Sequence, residues 1–212
     1  MGELWQKIRQ ADHALLWLCE KCAQIVVVSV LWLLACVPMV TLVPATAALY
    51  YACVKGIRRE WGSPAGAFLT SFRENWKQGI GLSLAVLSLG GICFYPILVG
   101  TSGFAGALAR VMLAWLLVWG SWLSVGLSRF SRAFRGQLLF AWSATMKSVP
   151  RSFGLLLASL VAVIAGMLYW PLSLLLPGAW ALVVSVLAEP VLICWMPMGD
   201  RPDWYWGAKN KE

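Results

Sequence analysis

The sequence predicts an all-α, polytopic membrane bundle of about six spans, and three observations carry that expectation. Of 212 residues, 60% are hydrophobic and 12% charged, with a mean hydropathy of +0.75. A soluble domain carries about 45–50% apolar and about 25% charged residues. The apolar residues come in runs long enough to cross a ~30 Å hydrocarbon layer, each needing ~20 residues. The basic residues fall in the gaps between those runs, as they do in cytoplasmic loops of membrane proteins. This composition excludes a soluble enzyme, a disordered chain and a disulfide scaffold. The formal charge of +8 and pI of 9.4 belong to loops lying against anionic lipid, not to a nucleic-acid interface.

Residues 1–21 read as an amphipathic lead-in helix, because Leu4, Ile8, Ala11, Leu15 and Leu18 recur at three- and four-residue steps. The acids Glu3, Asp12 and Glu20 and the length of the following run argue against a cleaved signal peptide. Residues 22–54 contain no charge. Thirty-three helical residues would extend ~50 Å, too long for one span and short for two. Pro38 and Pro44 divide the run, since proline disfavours helix before it and suits a first turn. The expected elements are a span at 22–38 and a short helix at 44–59, made slim for close packing by Ala45, Ala47 and Ala48.

Ser63-Pro64 is a helix-start signal. Phe68, Phe72 and Trp76 then share a stripe, with Arg73, Glu74 and Lys77 on the other flank. This predicts an amphipathic elbow at 63–77 lying along the inner leaflet. Further spans are expected at 79–100, 107–128, 153–171 and 179–198, followed by a polar tail at 199–212. Sixteen of the 17 basic residues then lie on one side, with Arg110 the exception. The positive-inside rule puts both termini in the cytoplasm. An internal repeat at an offset of 74 aligns Lys55 with Arg129, Arg58 with Arg132, Arg73 with Lys147 and Lys77 with Arg151. It suggests a duplicated unit of span, basic elbow, amphipathic helix and span.

Glu189-Pro190 falls mid-span in the last run. An ionisable side chain there is costly and by default a functional candidate. It serves either a proton or cation site or a hydrogen bond between helices. No HExxH, GxSxG or GxxxxGK[ST] occurs. The single histidine, His13, and one CxxC, Cys19–Cys22, are too few for a four-ligand zinc site. No cofactor, metal site or catalytic residue is expected. The 14 tryptophans suit interfacial belts, with Trp61, Trp76, Trp142, Trp170, Trp180, Trp195, Trp204 and Trp206 near span borders.

The stretch from Val30 to Tyr51, including Val37-Pro38-Met39-Val40-Thr41 and Pro44-Ala45-Thr46-Ala47-Ala48, resembles the N-terminal signature of the YesL family of bacterial membrane proteins. Phe72-Arg73-Glu74-Asn75-Trp76-Lys77-Gln78-Gly79 resembles that family's second block, usually written FRENFKQG. Val43 replaces a glycine common before Pro44. The resemblance implies no catalytic residues. It does imply proximity to carbohydrate-uptake ABC transporters, beside whose genes the family's genes often lie.

The function expected is a non-enzymatic subunit or accessory factor of carbohydrate uptake in the bacterial cell membrane. Its partners would be the bilayer and permease or ATPase subunits, or a second copy of itself. Docking would use Arg73, Glu74, Lys77, Lys147 and Arg151. The alternative is a small stand-alone transporter with its site near Glu189 and the Pro38–Pro44 break, and a membrane-embedded enzyme comes third.

Overall fold

A computed structural model describes residues 2–101, 103–130, 133–169 and 174–195, with side chains from Leu16 onward. Seven α-helices make up the fold: α1 Gly2–Cys36, α2 Leu42–Ala52, α3 Pro64–Leu98, α4 Phe104–Arg129, α5 Phe134–Lys147, α6 Val149–Leu168 and α7 Leu176–Trp195. Six segments are long and apolar enough to cross a membrane: Leu16–Cys36, Met39–Arg58, Pro64–Leu98, Phe104–Arg129, Val149–Leu168 and Leu176–Trp195. They correspond one to one with the runs read from the sequence.

The first turn is set by proline chemistry. Pro38 adopts an extended backbone and caps a 3-10 turn, Met39–Thr41. The Thr41 hydroxyl donates to the carbonyls of Ala35 and Pro38, which satisfies acceptors left open where α1 stops. Pro44 lies in the first turn of α2, where its missing N–H costs nothing. Beyond Ala52 the helix widens into a π-type turn, Cys53–Arg58. Glu60, at φ 56°, and Gly62, at φ 79°, then reverse the chain. A left-handed backbone is uncommon for a residue carrying a Cβ. An ion pair to Lys21 at 2.6 Å anchors Glu60 there, and that hydrogen bond holds its carboxyl below the usual carboxylate range.

α2 is the centre of the molecule. Val43, Pro44, Ala45, Ala47, Ala48, Leu49, Tyr50 and Ala52 are all buried. Its alanines admit two layers. One contains Val28, Phe68 and Ala181. The other contains Leu82, Trp119, Trp122, Phe140, Leu155 and Val184. Small residues substitute for hydrophobic drive when backbones must approach inside lipid. A Cβ on Gly56 would stand 2.6 Å from Pro64 Cα, and one on Gly79 would stand 2.5 Å from Pro44 Cβ. The Val43 amide also donates to Ser83 Oγ at 2.9 Å. These three contacts fix α2 antiparallel to the first half of α3.

Two expected boundaries are absent. The lead-in at 1–21 and the span at 22–38 are one helix, α1, of 35 residues. No proline or glycine falls between them to stop the i→i−4 ladder. The elbow at 63–77 likewise does not fold back along the leaflet. It is the first half of α3, 35 residues and ~52 Å long. Ser63 caps it, accepting from the Gly66 amide. Only in the second half of the chain does an elbow separate, as α5, because Pro150 starts α6 after the break at Ser148.

Helix boundaries recur at a different offset. α3 and α5–α6 begin at Pro64 and Phe134 and end at Leu98 and Leu168, an offset of 70 and not 74. Helix starts are fixed by caps and prolines, whereas basic residues at three-residue spacing match at several offsets. Arg132, one of the residues aligned by the repeat, lies outside the described residues, as do Trp170, Trp204, Trp206 and the tail.

The basic ends of the helices converge. Lys21 donates to the Ile57 carbonyl at 3.1 Å, Arg59 and Arg129 meet α7, and Lys147 lies 4.8 Å from the Trp195 ring centroid. Arg110, seven residues into α4, is exposed toward the other end. In a cysteine-free background, Phe104→Cys and Leu174→Cys should react with an impermeant thiol reagent on intact cells. Trp61→Cys and Arg135→Cys should react only after permeabilisation. Reversed labelling would turn the whole bundle over.

Candidate functional site

Among the described residues, Glu189 is the one buried acid. It is the fourteenth of 20 residues in α7, so it lies toward the basic end and not at mid-span. Pro190 follows it and leaves the Val186 carbonyl without its intrahelical amide. Arg59 Nη2 donates to Glu189 Oε2 at 2.9 Å, Tyr50 Oη donates to Oε1 at 3.2 Å, and Arg129 Nη2 donates to Oε1. The Arg129 guanidinium also lies 6.0 Å from the centroid of the Tyr50 ring, within range of a cation–π attraction. Beside this hub, Arg58 Nη1 donates to Ser185 Oγ at 3.0 Å. Side-chain exposure is 10% for Glu189, 19% for Arg59 and 13% for Arg129.

The local sequence explains the convergence. Arg59 ends the π-type turn after α2, and Arg129 ends α4. The two arginines stand 70 residues apart, the offset of the helix starts. One copy of each unit thus contributes a guanidinium to a single carboxylate on α7. An ionised carboxylate offers about four lone-pair sites, and three are engaged. The cluster carries a formal charge of +1 and ties α2, α4 and α7 together. The sequence reading missed all three partners of Glu189. Their separations of 139, 130 and 60 residues exceed any local pattern, and only the repeat in its correct register pairs Arg59 with Arg129.

The proposed docking residues lie elsewhere. Arg73, Glu74 and Lys77 are exposed on α3. Along the adjacent stripe, burial falls steadily: Phe68 is buried, Phe72 half-buried and Trp76 exposed. Phe68 stacks on Phe72 at 6.0 Å, and Phe72 meets Trp76 edge-on at 5.0 Å. Phe72, Arg73, Glu74, Trp76 and Lys77 line a shallow pocket of about 370 Å³. In the second unit Arg151 is exposed, but Lys147 is engaged by Trp195. The structure does not bring the two sets into one contact.

A larger cavity of about 520 Å³ lies between the α1–α2 turn and helices α4, α6 and α7. Its lining is apolar except for four hydroxyls, and each has a partner. Thr46 donates to Leu42 O at 2.7 Å and accepts from Trp32 Nε1 at 3.3 Å. Ser159 donates to Leu155 O at 2.8 Å and accepts from Trp180 Nε1 at 3.1 Å. Ser121 and Ser124 donate to carbonyls of their own helix. Trp180, expected near a span border, is the fifth residue of α7 and also flanks this cavity. Trp119 and Trp122 are core residues, the latter donating to Ser152 Oγ at 3.1 Å.

Among the described residues, no three His, Cys, Asp or Glu side chains gather as metal ligands would. Cys19 and Cys22 are exposed free thiols.

A helical bundle in which six helices are long and apolar enough to cross a membrane, with slim glycine and alanine contacts and most described charges toward one end, has the make-up of an integral membrane protein. The family described as "Protein of unknown function, DUF624" matches residues 25–97, which include both sequence blocks quoted above. No curated protein and no solved structure matches the chain.

Proposed function

We propose that this protein is a non-enzymatic membrane subunit that docks a partner on the exposed face of the first half of α3. The observation that supports this reading is the division of labour among charged groups. Glu189, Arg59, Arg129, Arg58 and Lys21 are consumed in contacts within the fold. Arg73, Glu74 and Lys77 instead stand in the open beside the Trp76 ring. Arg and an exposed aromatic side chain together favour a protein contact over a purely lipidic one. The likeness to the YesL family points to permease or ATPase subunits of a carbohydrate uptake system in the bacterial cell membrane. Both termini would then lie on the cytoplasmic side with the basic end.

A lipid anchor would use these residues as interchangeable charges, each worth ~1 kcal/mol near an anionic leaflet. A docking face would use them by geometry, and Arg→Lys loses the planar fork. Arg73→Lys and Glu74→Ala should therefore release co-purifying permease or ATPase subunits at unchanged membrane level. Arg151→Lys tests the second unit in the same way. Full retention of those subunits in all three variants would reduce the face to an interfacial anchor.

A further inference from the structure

The α1–α2 hairpin stops short of its neighbours. Its turn meets α3 at Gly79 and Ser83, yet α3 continues to Leu98, another 15 residues or ~22 Å. Leu84, Leu89, Ile92, Phe94 and Leu98 on that extension are exposed. Such a surface belongs in hydrocarbon. The hairpin tip is therefore inside the hydrocarbon layer as well. It carries Val37 and Met39, exposed at 77% and 72%, and no charge.

The 520 Å³ cavity begins beside this tip, at Leu33 of α1 and Leu42 of α2. Leu116 to Ser124 of α4 line it over nine residues, ~12 Å of helix and most of one ~15 Å leaflet. Leu33, Leu117, Val163 and Met167 at its mouth are exposed. Every lining hydroxyl already donates to a carbonyl of its own helix, so a sugar or a headgroup finds no free hydroxyl donor, only scattered lone pairs. A water would meet a wall that is almost wholly apolar, and an empty void would forfeit packing contacts in proportion to its volume.

We propose that this cavity holds one hydrocarbon chain of a membrane glycerolipid from the leaflet opposite the basic end, seated against Leu33 and Leu42 beside the hairpin tip. Gly120 has room for a side chain, with Val86 Cγ1 at 4.0 Å the nearest atom a Cβ would meet. Gly120→Leu and Ala162→Phe therefore fill the space from two different helices. The full chain in detergent is titrated with phosphatidylglycerol bearing brominated acyl chains. Retained lipid is read by native mass spectrometry and proximity by tryptophan quenching, since Trp32 and Trp180 flank the cavity. The wild type should retain a lipid and be quenched. Each filled variant, with an unfolding midpoint at or above wild type, should retain at least tenfold less and lose that quenching. If one variant does not fold, the other and Ser124→Leu carry the comparison. Equal retention and quenching in the folded variants would overturn the proposal. So would a dimer that the fillings convert to monomer, or labelling of Met39→Cys on intact cells as fast as Phe104→Cys.

Discussion

Glu189→Leu should cost this protein about 3–5 kcal/mol of stability, the penalty for removing one side of a buried ion pair. The reason is what remains. Arg59 and Arg129, both more than four-fifths buried, would face each other without a counter-charge, and the Tyr50 hydroxyl would lose its acceptor. Glu189→Gln keeps an acceptor but no charge, so an intermediate loss is expected. The decisive variant is Glu189→Leu combined with Arg59→Met and Arg129→Met. Replacing a whole buried ionic cluster by apolar groups is often neutral or stabilising, so the triple variant should recover most of the loss. Thermal midpoints in one detergent measure all three. A single variant as stable as wild type would mean the hub does not hold α2, α4 and α7 together. A Glu189→Gln protein that stays folded but loses a transport activity would revive the stand-alone transporter reading.

Gly79→Ala should be the most damaging single methyl in α3, at about 1–3 kcal/mol or more. Its Cβ would stand 2.5 Å from Pro44 Cβ and 2.8 Å from Cδ and Cγ. The pyrrolidine ring has no rotamer by which to withdraw, so the helices must part and the Val43–Ser83 hydrogen bond stretches. Gly91→Ala in the same helix is the control. A Cβ there meets nothing within 4 Å, and alanine is the better helix former by about 0.8–1.0 kcal/mol. Opposite signs for the two changes, read as shifts in unfolding midpoint, are the expected result. Equal effects would show that the α2–α3 contact is looser than its geometry.

The contrast between these two glycines separates what is local from what is not. Gly79 closes the charged block of α3 and Gly91 lies in its uncharged half, but neither context says which glycine another helix approaches. Only the arrival of Pro44, 35 residues earlier in the chain, makes one of them indispensable. The exposed face proposed for docking was legible for the opposite reason. Helical periodicity alone places Arg73, Glu74 and Lys77 off the Phe68–Phe72 stripe, and that stripe is the side that packs.

Composition and proline placement were enough to read an all-α bundle with six helices long and apolar enough to cross a membrane, most basic residues between the apolar runs, and a first hairpin that turns between Pro38 and Pro44. These properties follow from burial in hydrocarbon and from proline stereochemistry, which act over one or two helical turns. Tertiary structure alone decided that α1 and α3 run unbroken through their amphipathic halves, that the repeat falls at 70 residues, and that Glu189 is clasped by Arg59, Arg129 and Tyr50. It also decided that the α1–α2 tip leaves an apolar cavity beneath the longer helices. Each depends on where one helix meets another, and an apolar surface of nearly uniform leucine, valine and alanine does not encode that depth in its local pattern.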